Sequence, residues 1–284
     1  MAFSSLLPPA GVVFPSHFQK LSQTGVSFSR RFSFLSSSEQ LEQLFLKWEL
    51  AQENESDSLW QLTKGGNNIT KSHFRRDGII DEAVFAKETR KTLFISNEAN
   101  DDEYSAKTNA KPNNIDDYRR YCETGYDDWL GKMRERTSAL YKIVAGIGIM
   151  EMSDADAALH YAVMDLNKRG GGSDVKSAAH IEEYCKYYQN FIKREIEIIN
   201  PDVVVWLGTK TYDMELHSKY LGAECEKDKR YFIIDHKKVP ILRMWHTSYY
   251  QGHIEPLPGY SNRIVGKLCA KCLEELEKYN ISLF

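Results

Sequence analysis

The chain has 284 residues, 42% of them hydrophobic and 12% aromatic, enough for one substantial core with an extension. No stretch approaches the ~20 uncharged apolar residues that a membrane-spanning helix needs, which argues against a transmembrane protein. The net charge of −3 gives no global attraction for nucleic acid. Contact with DNA would need a local basic patch, for which Lys132, Arg134, Arg136, Lys168 and Arg169 are the candidates.

Residues 1–38 contain no Asp or Glu, are rich in Ser, Phe and Pro, and carry Arg30-Arg31 near their end. This composition predicts a poorly ordered or targeting-like N-terminus. The five cysteines, Cys122, Cys185, Cys225, Cys269 and Cys272, are odd in number and scattered, which points to a reducing compartment. A bacterial cytoplasm is the expectation, or an organelle if the N-terminus is a transit peptide.

From Ser38 a helix is predicted: Ser38 can cap it, and Leu41, Leu44, Phe45 and Trp48 follow at helical spacing. The polar, irregular remainder of 39–90 is expected to pack on a core domain spanning 91–284. That domain starts with an apolar strand, Thr92 to Ser96, which stops in Asn97-Glu98-Ala99-Asn100-Asp101-Asp102. A long polar region, Asp101 to Asp128, follows, and such loops are uncommon unless functional. Arg134 to Met150 has a helical pattern.

A second strand, His160 to Met164, runs into Asp165-Leu166-Asn167-Lys168-Arg169-Gly170-Gly171-Gly172. Ser173 or Asp174 can then cap a long helix that Asn200-Pro201 stops. A third strand, Asp202 to Leu207, ends at Gly208, and a fourth, Val239 to Trp245, ends at His246-Thr247-Ser248-Tyr249-Tyr250. Ile264 to Tyr279 reads as an amphipathic helix carrying Cys269 and Cys272; with no second cysteine pair, neither a metal nor a cofactor is expected. Near-continuous apolar strands alternating with helices predict an α/β fold with a mainly parallel sheet covered on both faces. Such sheets bind ligands at the C-terminal ends of their strands.

Three of these strand ends carry a resemblance. Asn97-Glu98-Ala99-Asn100-Asp101, then Ile198-Ile199-Asn200-Pro201-Asp202-Val203-Val204-Val205-Trp206-Leu207-Gly208, then His246-Thr247-Ser248 resemble, in order and spacing, the motifs of the uracil-DNA glycosylase superfamily. The middle segment is the nearest match. The first lacks the family's glycine and proline, and Thr247 stands where the family has proline. The resemblance implies a three-layer α/β/α domain with a central, mainly parallel four-stranded sheet, plus the N-terminal helical extension. It also implies a monomeric, metal-free DNA glycosylase that needs no obligate protein partner and acts on a flipped pyrimidine nucleotide.

Breaking an N-glycosidic bond leaves a cationic sugar and a departing base anion. A histidine beside the base stabilises that anion as an oxyanion hole does, and His246 falls on the family's histidine. Glu98 falls on the glutamate that orients water in one branch, with Asp101 and Asp102 as competitors. Asn97 and Ala99 would line the base pocket. The family's uracil-reading asparagine aligns with Asp165. A protonated Asp165 would suit the N3/N4 edge of cytosine rather than uracil, and burial can favour that state. Asn167, two residues on and on the same strand face, is the alternative reader and would restore uracil. Lys168, Arg169, Gly171 and Ser173 are candidates for DNA phosphates, and Ser248, Tyr249 and Tyr250 for the duplex near the flipped base. A modified cytosine, such as glucosylated hydroxymethylcytosine of phage DNA, is the expected substrate, in antiviral defence. Uracil repair and catalytically silent reading of modified DNA are the alternatives.

Overall fold

The computed structural model describes residues 35–64, 69–100, 129–148, 151–171, 179–208, 216, 219–244 and 263–282. Residues from Ser37 onward form one compact unit. It contains α1 (Ser37–Glu53), α2 (Asp57–Thr63), β1 (Gly78–Ile79), α3 (Glu82–Phe85) and β2 (Thr92–Asn100). Next come α4 (Trp129–Ala145), α5 (Asp154–Ala158), β3 (Tyr161–Gly171), α6 (Ala179–Ile199) and β4 (Val203–Leu207). A β5 (Glu224–Glu226), β6 (Lys229–Ile234) and β7 (Lys237–Met244) meander and α7 (Arg263–Lys278) complete it.

The sheet has seven strands in the order β1-β3-β2-β4-β7-β6-β5, where a four-stranded sheet was expected. The four predicted strands are there and run parallel to one another, β3 beside β2, β2 beside β4, and β4 beside β7. The additions are antiparallel: β1 along β3 at one edge, and β6 and β5 at the other. Of these, β5 and β1 escape a reading by hydrophobic runs because β5 is wholly exposed and β1 has only two residues.

Alternation along the strands divides the core in two. Leu93, Ile95, Ala162, Met164, Leu166, Val204, Trp206 and Ile241 pack with α1 and α6. Phe94, Tyr161, Val163, Val203, Val205, Leu207, Leu242 and Met244 pack with α4, α5 and α7. Each large side chain so enclosed contributes roughly 1.5–3 kcal/mol. Cys269 and Cys272 are buried on α7 in the second of these clusters, as part of its apolar face.

The N-terminal helix forms as its spacing predicts, burying Leu41, Phe45, Trp48 and Gln52. Its start is held from outside rather than by Ser38: the Ser37 and Ser38 N–H groups donate to the Glu82 carboxylate, at 2.6 and 3.3 Å. Trp48 stacks on Phe191 and Tyr184 of α6, so the extension shares the first core cluster. Gly78 makes the close approach of α1 to β1 possible. Its φ is +114°, and a Cβ there would lie 2.9 Å from Leu41 Cδ1. At the far end of α6, Asn200 takes the left-handed conformation, φ 48°, just before Pro201, which ends the helix where the sequence predicts.

Candidate active site

Because β2, β3, β4 and β7 are parallel, their C-terminal ends share one edge of the sheet. Both β2 and β3 continue past their apolar runs into segments whose polar sequence reads as loop. Ser96 lies opposite Asp165 and Glu98 opposite Asn167, so the first-motif acid and both candidate base readers occupy neighbouring register positions. Met164 and Leu166 face α1 and α6, and alternation turns Asp165 and Asn167 toward the other face. Of the candidate residues, Asp101, Ser173, His246, Ser248, Tyr249 and Tyr250 lie outside the described residues. Met244, the last residue of β7, precedes His246 by two positions.

Asp165 is gripped from three directions. Its backbone N–H donates to Asp77 Oδ2 at 2.7 Å, and Ser96 Oγ donates to its Oδ1. Its Oδ2 lies 3.1 Å from Arg75 Nε, an ion pair in which the side chains are 6% and 10% exposed. That N–H is not aimed squarely enough at the oxygen for a hydrogen bond, so the contact is chiefly coulombic. The Arg75 guanidinium places a counter-charge beside that carboxyl. Arg75 is not legible as a partner from sequence because it lies 90 residues upstream in the extension.

Asn167 is fully buried, and its Oδ1 accepts the Arg169 backbone N–H at 3.1 Å. That local bond accompanies a bulge: from Glu98 to Asn100 on β2, the opposite register advances from Asn167 to Gly171 on β3. Alternation puts Lys168 on the α1 and α6 side with Met164 and Leu166, and past the irregularity Arg169 lies there too. Lys168 Nζ lies 5.3 Å from the Trp48 ring centroid, and the Arg169 guanidinium 5.0 Å from that of Trp60.

Neither side chain is available to DNA phosphates, contrary to expectation. Both are completely buried. Lys168 Nζ sits 2.5 Å from Asp77 Oδ1 and 2.8 Å from Glu195 Oε2. Burial alone would lower the Lys168 pKa, but the two carboxyls outweigh it and hold the ammonium above its ordinary value. Burial pushes the Glu195 carboxyl well above the usual range, Lys168 opposing this and Asp77 reinforcing it. Arg169 pairs with Glu55 Oε2 at 2.7 Å and donates to Thr63 Oγ1 at 2.9 Å. Tyr188 donates to the same Glu55 carboxylate and Tyr184 to Gln52. Burial raises the pKa of both phenols, so they stay neutral donors. The two basic residues therefore tie the extension to the sheet. Of the other basic candidates, Arg136 is half-buried on α4.

Among the described residues no group of three or more His, Cys, Asp or Glu could hold a metal ion, and no helix is long and apolar enough to cross a membrane. What the edge can do chemically is present an acceptor, Asp165, fixed by Ser96 and Arg75, beside the backbone register that carries Glu98. No known family model matches the chain, and no curated protein matches it significantly.

Proposed function

We propose that the chain is a monofunctional DNA glycosylase with a three-layer α/β/α domain of the uracil-DNA glycosylase kind. It flips a pyrimidine nucleotide out of DNA and hydrolyses its glycosidic bond, with a modified cytosine as substrate and antiviral defence as its role. The observation that carries this reading is the register of β2 on β3, Ser96 with Asp165 and Glu98 with Asn167, at the edge where β7 also ends, two residues before His246.

In the proposed reaction the departing base anion receives a hydrogen bond from His246. Glu98 stabilises the sugar cation and orients the attacking water, which adds to C1′ as the C1′–N bond breaks. Asp165 reads the base edge. Asn167 is the weaker candidate reader, because its Oδ1 already serves the Arg169 N–H and its side chain is enclosed. That difference favours an amino-bearing base over uracil.

The test is to incubate the protein with duplexes carrying uracil, cytosine, 5-hydroxymethylcytosine or its glucosylated form, and to score abasic sites by alkaline cleavage. Abasic sites opposite guanine in the cytosine-type duplexes are the expected product. Strand binding with no abasic site on any duplex would instead identify a silent reader of DNA.

A further inference from the structure

We infer that Arg75 decides which base the pocket accepts, by fixing Asp165 as an acceptor-only group that selects a pyrimidine with an exocyclic amino group. The inference rests on the glycosylase reading for the place of Asp165, and on the Arg75–Asp165 geometry for everything else.

Arg75 is set by backbone before its side chain does anything. Its N–H donates to the Lys168 carbonyl at 2.6 Å, and Gly78 and Ile79 pair with Val163 and Ala162 of β3. Residues 75–79 thus run along the free side of β3, with Asp77 reaching the Asp165 N–H. The guanidinium follows into the same corner, 3.1 Å from Asp165 Oδ2. Ser96 Oγ, from the strand on the other side, takes Oδ1. Arg75 and Ser96 therefore approach from opposite sides and fix the plane of the carboxylate.

A carboxylate offers about four lone-pair sites and no donor. Ser96 donates to one oxygen and the Arg75 guanidinium lies against the other, and the proposed base takes up the remaining acceptor capacity. The amino group of a cytosine-type ring brings two N–H bonds and satisfies such an acceptor. Uracil presents a carbonyl oxygen at the same position, and two acceptors facing one another in a dry pocket repel. Substitution at C5 leaves the amino edge free, so the selection extends to cytosines modified there. Arg75 acts through Asp165 and is a positioning residue.

The experiment uses full-length protein, with 2′-deoxycytidine and 2′-deoxyuridine titrated by calorimetry and the uracil and cytosine-type duplexes assayed in parallel. Wild type should prefer 2′-deoxycytidine. Arg75→Gln should cut that preference about 10–100-fold, the size of removing a counter-charge from beside a carboxylate, while Arg75→Lys restores part of it. If Arg75→Gln does not fold, Arg75→Gln/Asp165→Asn removes both charges together and should invert the preference toward 2′-deoxyuridine. An unchanged preference in either folded variant overturns the inference, as does a wild type that binds neither nucleoside. A wild type that discriminates between the nucleosides but cleaves no duplex keeps the role of Arg75 and defeats the glycosylase reading instead.

Discussion

Asp165 and the pair Lys168–Arg169 lie within five residues on one strand, yet their charges meet opposite fates. Lys168 and Arg169 are sealed at 0% exposure among Asp77, Glu195 and Glu55, beneath a layer of aromatic rings. Asp165 faces the other side, one-tenth exposed, with a counter-charge on one oxygen and a hydroxyl on the other. The first arrangement is closed off from solvent. The second keeps acceptor capacity at the edge where parallel sheets bind their ligands. Charged residues at a strand end are therefore not one kind of evidence. Alternation separates Asp165 from Lys168, and only Arg169 owes its side to the register shift after Asn167.

The largest effect should come from the sealed side. Lys168→Met leaves the Asp77 carboxylate buried without its cation, and loss of about 3–5 kcal/mol is expected in urea denaturation. A phosphate-binding lysine on the surface would cost under ~0.5 kcal/mol, so a small change would break the contrast.

Next in size is a pH-dependent effect at Glu195. Its folded pKa is raised above the ordinary 4.5, so the native state keeps a proton that the unfolded chain releases above that pH. The stabilisation from this group is full below pH 4.5 and is lost as pH rises through the raised folded value. Glu195→Gln copies the protonated shape. It should lie within about 1 kcal/mol of wild type in acid and gain on it with rising pH, as compared by urea melts at pH 5 and 8. A constant difference across that range would show that Glu195 is ionised in the fold.

Smallest is Arg194→Ala. The Arg194–Glu197 pair on α6 spans 2.9 Å but is half exposed, and its loss should shift stability by less than ~0.5 kcal/mol. A larger cost would mean that exposed pairs on this helix matter as much as the enclosed ones.

The parallel centre of the fold was legible because its strands are continuous apolar runs, buried on both faces. The long helices α1, α6 and α7 were legible from their periodicity and, at Asn200-Pro201, from a stop signal. The outer strands were not, since β5 has no buried residue and β1 takes its meaning from pairing with β3. For the site, polar residues after Ser96 and Met164 read as loops although both strands continue through them. Polar groups within a buried strand make sense only once their partners are known. Here those partners lie far off in sequence: Asp77 is 91 residues from Lys168, and Thr63 is 106 from Arg169. Arg75 was invisible for the same reason. Asp165 itself could be singled out because the motif resemblance aligned it with a base reader.

The central claim is that the shared strand edge cleaves a glycosidic bond with His246 as the donor to the departing base. The most direct measurement is single-turnover excision by wild type and His246→Ala on a cytosine-type duplex, with DNA affinity followed in parallel. The account predicts a loss of about 10²–10³ in rate with affinity nearly unchanged, the size of removing one oxyanion donor. An unaltered rate in the folded variant would contradict it.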